Sequence, residues 1–256
     1  MVERRKHGGA QARNNAEGES MCRFNGAGSP AIAVLRLSAL GLAAMLTACV
    51  APIPIKDSAP KMSYAMSDKV AVAVIDSRPI LKTEKKPATY IGVARAMFGI
   101  PTDIQVYPMV ALKEEKNLTL AQELEQRIAD ALQSTGANVI RLDAGAHLDM
   151  ESAKRAMQGL GADRVLLVSL DEWVVDINLS WVGSFDFDWG YTVAIFDNTG
   201  AQIGTFKDSG KDVVKESGSD SAHNMITAAF RARLEKLLDR AEVRSGLSLP
   251  AKVAEH

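Results

Sequence analysis

The stretch Leu35 to Cys49, LRLSALGLAAMLTAC, limits what the rest of the chain can become. It is built of apolar and small residues around the basic Arg36, and it closes on Leu46-Thr47-Ala48-Cys49. An apolar helical run of this kind is held by a translocon and then cut where small side chains fit a peptidase groove. A cut between Ala48 and Cys49 makes everything before it a leader, and the fold then belongs to the residues from Cys49 onward. A buried helix or a short membrane span ending in cysteine are the other readings. The span is disfavoured, because Ala31 to Ala48 carries an arginine and falls short of the ~20 apolar residues a bilayer needs.

The tetrapeptide LTAC resembles the lipobox of bacterial lipoproteins: aliphatic, small, small, cysteine. The resemblance implies that the Cys49 thiol is acylated and that cleavage between Ala48 and Cys49 makes it the new amino terminus. A covalent lipid such as palmitate is then the one attached group, and no other cofactor is expected. Val50 follows the cysteine. In Gram-negative lipoproteins an aspartate there tends to retain the protein in the inner membrane, so its absence implies the outer membrane, facing the periplasm. Met1 to Pro30 is rich in Gly, Asn, Arg, Ala and Ser and cannot pack a core. A start at Met21 gives a leader of ordinary length, about 30 residues. On either start, residues 1–48 are expected to be absent from the working molecule.

About 200 residues remain beyond the leader, enough for one domain with a proper core. The net charge of −1 gives no electrostatic reason to expect nucleic acid. Cys22 and Cys49 are the only cysteines, so the domain has neither a disulfide nor thiol chemistry. His147, His223 and His256 are far apart with no cysteine beside them, and no metal site is expected.

Along the chain, Val50 to Met66 is proline-rich and aperiodic, and reads as a flexible tether over 49–66. Lys69 to Asp76, KVAVAVID, reads as a strand buried on both faces. Ile80 to Lys116 is punctuated by Pro87, Gly92, Gly99, Pro101 and Pro108, so no long element fits there beyond a short strand or helical turn near Val93 to Met97. Its apolar residues either fold over the core as a lid or form an exposed patch for a partner. Asn117 to Thr135 reads as an amphipathic helix with Leu120, Leu124, Ile128 and Leu132 on one face. A short strand follows at Ala137 to Leu142, then a second helix at Asp149 to Leu160. Asp163 to Leu179, Phe185 to Asp197 and Ala201 to Asp208 read as an antiparallel meander, turned at Asp197-Asn198-Thr199-Gly200. Ser219 to Arg244 closes the domain as a long helix, and residues 245–256 read as a loose tail.

The expected fold is therefore α/β (α+β) over 67–244: a mixed sheet of order βαβαβββα, with helices packed mainly on one face. A βαβ opening brings some parallel pairing. The elements KVAVAVIDSRP, NLTLAQELEQRIADALQSTGANV and GADRVLLVSLDEW resemble the amino-terminal α/β domain of TolB. They are also similar to the small, mostly uncharacterised Gram-negative lipoproteins of the YajG and CsgG-like group. That resemblance implies binding and scaffolding in the envelope, without catalysis.

Two constellations stand out. Asp171, Glu172, Asp176, Asp186 and Asp188 gather in the meander, where they suit a hard cation, a basic partner or simply a solvated sheet face. Trp173 and Trp189 are expected as cross-strand core neighbours, with Trp181 near the connection as an uncovered anchor. There is no Gly-x-Ser-x-Gly or His-Glu-x-x-His and no Ser-x-x-Lys ahead of a catalytic-looking helix, so the further alternative of an envelope hydrolase would need a convergent Ser/His/Asp cluster that the sequence does not display. The reading is a non-catalytic, membrane-anchored lipoprotein whose domain binds or scaffolds an envelope assembly through a protein partner or self-association. Its candidate partner surface is Tyr90, Met97, Phe98, Tyr107 and Trp181. The alternative is a binding module for an apolar ligand or cell-wall fragment, with Phe98, Trp173 or Trp189 lining a pocket.

Overall fold

The alternation of buried residues in Lys69–Asp76 explains where the sheet begins. Val70, Val72 and Val74 face one core, while Ala71, Ala73 and Ile75 face a second, smaller one. The computed structural model describes residues 53–66, 69–95, 99–143, 151, 155–156, 159–178, 184–215 and 220–248. By internal contacts the chain divides into Met1–Cys49 and Val50–His256, and every described residue belongs to the second. The helix expected over Asp149 to Leu160 lies largely outside the described residues.

The strands are β1 (Lys69–Asp76), β2 (Tyr90–Arg95), β3 (Pro101–Gln105), β4 (Asn138–Arg141), β5 (Arg164–Asn178), β6 (Ser184–Asp197) and β7 (Gln202–Lys215). The main helices are α1 (Leu120–Ser134), α2 (Ala222–Leu238) and α3 (Ala241–Leu247). The sheet is mixed and the class α/β, as expected. β1 pairs in parallel with both β4 and β5, and β5, β6 and β7 form the antiparallel meander.

The order βαβαβββα needs correcting, because the proline-rich segment after β1 holds two further strands. β2 and β3 form an antiparallel hairpin, and β2 docks in parallel on the far half of β5. The short strand expected near Val93 is β2, and Ile91, Ile104 and Val106 pack into the core as expected, but as part of the sheet rather than as a lid over it. Prolines and glycines at the hairpin's margins hid it, yet Pro101 sits at the first residue of an edge strand, where no ladder hydrogen bond is lost. Gly92 makes the docking possible. Its φ is +149°, and a Cβ there would lie 1.9 Å from the Val175 carbonyl oxygen. Gly92→Ala is expected to cost about 2–3 kcal/mol and to unseat the hairpin, since a strained non-glycine backbone meets a strand that cannot retreat. Urea unfolding with limited proteolysis between Pro87 and Pro108 reads both effects.

β5 thus serves two partners along one edge: β1 as far as Leu170 and β2 from Val175 onward. The gap between them is filled by Arg78, 1 % exposed, whose guanidinium grips Asp76 at 2.8 and 2.7 Å and donates to the Trp173 carbonyl at 2.9 Å. An arginine fork matches both the carboxylate and the stranded carbonyl, so the Trp173 oxygen is not left unpaired. The β1 ladder is extended in a similar way beyond β4. The Glu125 carboxylate accepts from Val74 N–H at 3.2 Å and from Asp143 N–H at 2.8 Å. Burial pushes its carboxyl above the usual range, and those two N–H groups partly oppose the shift.

α1 is capped by Thr119, whose hydroxyl accepts from Gln122 N–H while the Gln122 side chain reaches back to the Thr119 N–H. α1 and α2 supply Leu124, Ile128, Ile226, Phe230 and Leu234 to the larger core. The closing helix is split at Asp239 and Arg240, and Val243 and Leu247 of α3 are fully buried. The tail expected from 245 is therefore packed to Leu247. The tether expected over 49–66 also needs correcting where it is described. Ile55 is fully buried, Ser58 binds Arg127 through both its carbonyl and its hydroxyl, and the Tyr64 hydroxyl donates to the Leu238 carbonyl at 2.5 Å. Proline content signalled chain without regular structure, but irregular chain can still be packed. Burial pushes the Tyr64 phenol up to about 12, with Arg244 opposing it.

Candidate functional site

The residues of the three-stranded meander divide by parity. On one face, Trp173, Phe187, Trp189 and Tyr191 turn toward α2. Trp173 is fully buried edge-on to Phe187 at 5.0 Å and to Phe230 at 5.3 Å. It stands opposite Trp189 in the β5–β6 register, as expected for cross-strand neighbours. Arg233 of α2 lies over the Trp189 ring at 3.5 Å and pairs with Asp212 of β7. Both indoles are inside, so they line no ligand pocket, and the apolar pocket expected from Trp173 or Trp189 is not formed by them.

The opposite face carries Asp171, Asp176, Asp186 and Asp188, each matched by a cation on another strand of the sheet, in the case of Asp171 from β7 across the intervening β6. Asp176 meets Arg95 of β2 at 2.5 Å, Asp186 and Asp188 share Lys211 of β7 at 2.7 and 3.7 Å, and Asp171 meets Lys207 at 3.0 Å. Exposed pairs of this kind contribute little individually. The hydrogen bond that Lys211 donates to Asp186, with the charge of Asp188 beside it, raises the ammonium above its ordinary range. Among the described residues no group of three or more His, Cys, Asp or Glu is placed to hold a metal.

β7 is the sheet's long edge. Among the described residues it pairs with β6 alone, over a run in which most side chains are exposed. Ile203 is 45 % and Val213 62 % exposed. Natural edges are commonly guarded by lysines that project past the last strand. Here Lys207 and Lys211 are instead laid back across the sheet in ion pairs. The edge is also thinned at Gly210, where a Cβ would meet the Trp189 ring at 2.7 Å.

Of the expected partner surface, Tyr90 is 3 % exposed and belongs to the hairpin's inner side, so it offers nothing to a partner. Its phenol is pushed up by burial, with the Lys86 ammonium opposing from 5.1 Å over its ring. Tyr107 is 40 % exposed, and Ile100, outside the expected set, is 63 % exposed. Met97, Phe98 and Trp181, and the cleavage pair Ala48 and Cys49, lie outside the described residues. Of the expected surface, only Tyr90 and Tyr107 lie among the described residues. The sheet edge is longer than expected, because the strand expected over Ala201 to Asp208 runs on as β7 to Lys215. Among the described residues, no helix is long and apolar enough to cross a membrane.

No family model matches the chain, and no curated protein does. Solved structures that it is similar to include protein XCC0632 of Xanthomonas campestris, assigned to family model DUF330. Identity there is 10 % over 76 % of this chain and 94 % of that one, with a TM-score of 0.45. The PelC dodecamer of Paraburkholderia phytofirmans is 17 % identical over 71 % and 94 %, with a TM-score of 0.34. Lipoprotein GNA1162 of Neisseria meningitidis is 9 % identical over 67 % and 99 %, with a TM-score of 0.31. At these identities and TM-scores no function passes from those proteins to this chain.

Proposed function

We propose that the chain is a bacterial lipoprotein acylated at Cys49, held on the outer membrane and facing the periplasm. Its domain serves as a non-catalytic binding element for an envelope assembly. The observation that carries the binding role is the open edge of β7. A 14-residue strand that pairs, among the described residues, on one side only is a template for another strand. Main-chain groups along it supply affinity, and exposed Val213 and Ile203 supply points of side-chain selection. The meander's acidic residues, with their cationic neighbours, favour this over a cation site. The LTAC sequence supports the anchor.

Two measurements test the two halves. Intact-mass analysis of the membrane fraction is expected to give a chain beginning at Cys49 with acyl groups attached, and Cys49→Ala is expected to lose both cleavage and acylation. A photo-crosslinking residue at Val213 is expected to give one discrete heavier product in cells, and one at Ser245 on α3 none. A product of twice the chain's mass identifies self-association along β7, and equal yields from both positions reject the edge as the binding element.

A further inference from the structure

The point at which the chain enters the domain is fixed. Ile53 N–H donates to the Asn224 side-chain oxygen at 3.1 Å, at the start of α2. Two residues on, Ile55 is fully buried. Ser58 is 2 % exposed, its hydroxyl and carbonyl held by Arg127 at 2.6 and 3.2 Å. From Ile53 onward, then, the chain is part of the domain and contributes no slack. Four peptide steps separate Cys49 from Ile53, and four residues of chain reach at most ~14 Å in any conformation. The headgroup layer of one leaflet is itself roughly 7 Å thick, half the difference between the whole bilayer and its hydrocarbon core.

We propose that the face surrounding Ile53 is apposed to the lipid surface, and that its occupant is the bilayer interface. This rests on acylation at Cys49. The same face carries a fitting side chain. His223, the neighbour of Asn224, has its ring Nδ1 3.2 Å from the Pro108 carbonyl oxygen, and Pro108 follows the 40 % exposed Tyr107. Tyrosine is enriched where bilayer meets water, because its ring is apolar and its hydroxyl is wet. A leash of this length leaves the domain no position in which this face is remote from the headgroups. The opposite end of α2 has that freedom, since Asn224 and Asp239 are separated by about 22 Å along the helix axis.

The full-length chain offers a clean test, because its only cysteines are Cys22 in the leader and the acylated Cys49. Tyr107→Cys, Lys56→Cys and Asp239→Cys each give the mature protein one free thiol for an environment-sensitive fluorophore. The probe is a phosphatidylcholine–phosphatidylglycerol vesicle carrying a nitroxide on its headgroups, with the acylated protein purified from its host and reconstituted. Tyr107 and Lys56 are expected to lose about half their fluorescence, being held within ~14 Å of the chain's anchor plus their own distance from Ile53. Asp239, whose side chain is 64 % exposed, is expected to lose little. If the protein floats with the vesicles and its mass shows the acyl groups, yet neither Tyr107 nor Lys56 is quenched, the apposed face is wrong and the anchor stands. Equal quenching at all three positions also overturns it. A protein that neither floats nor carries acyl groups removes the anchor, and this inference with it.

Discussion

Arg127→Met is expected to destabilise the domain by about 3–5 kcal/mol, the usual cost of leaving one member of a buried ion pair alone. Arg127 and Glu123 of α1 are both fully buried and paired, and Arg127 also ties down Ser58 and the Val110 carbonyl. One Glu123 oxygen has no hydrogen-bond partner, and burial pushes its carboxyl above the ordinary range even though Arg127 opposes the shift. A raised carboxyl means that the folded state binds its proton more tightly than the unfolded state. The corresponding stability is therefore complete below the unfolded value near 4.5 and falls away as pH rises through the folded value. Without Arg127 the folded value rises further, so the variant's deficit is expected to widen as pH rises above the unfolded value near 4.5. Urea midpoints over a rising pH series read it, and a deficit independent of pH would show that Glu123 is not the group left stranded. Replacing both residues with Leu or Met is expected to recover most of the loss, because the buried charge then disappears.

Trp173→Ala is expected to cost a similar ~3–5 kcal/mol, by the lost transfer of the indole and the cavity left behind. The ring packs edge-on to Phe187 and Phe230, so its loss loosens the contact between the meander and α2 rather than one strand alone. Trp173→Phe is expected to recover about half of the cost, because it restores an aromatic edge for Phe230 while leaving part of the cavity. Matched thermal and urea unfolding of the three proteins checks this. An alanine variant within ~1 kcal/mol of the parent would mean that the site collapses around the gap.

Much of this architecture was legible where one periodicity dominated. KVAVAVID reads as a two-sided strand and is one, because valine and alanine alternate between two cores. The amphipathic stripe and Thr119 cap of α1 set its limits to within a few residues, and the alternation FDFDW assigned β6 its faces. The rest was hidden by residues whose local meaning was overruled by contacts distant in sequence. Gly92 and Pro101 look like breaks, but one is demanded by the Val175 carbonyl and the other is accommodated by an edge position. The strand expected to end at Asp208 runs on through Ser209 and Gly210, where the Trp189 ring lies against the Gly210 backbone. Ile53 to Met66 looks like a linker, and is held by Arg127, Asn224 and Leu238, each far away along the chain. The exposed β7 edge was missed for the same reason. Which strand ends up outermost is a property of the whole sheet's order, and no residue in β7 encodes it.

The forked pairing of β5 also governs how the chain reaches its native state. β1 is almost entirely made of side chains that finish inside, yet the register Val70 to Arg164 gives it a principal partner 94 residues further along. During synthesis, KVAVAVID therefore emerges long before the strand that shelters it, with only the four-residue β4 among its described partner strands in between. The meander has no such delay, since its strands are joined by short connections and pair locally. Assembly is thus expected to begin at the carboxyl-terminal half, with β1 captured last. Until then a β-prone segment, charged only at its two ends, stands exposed in the newly made chain. That is an aggregation hazard, and it makes this protein a natural client for holding chaperones.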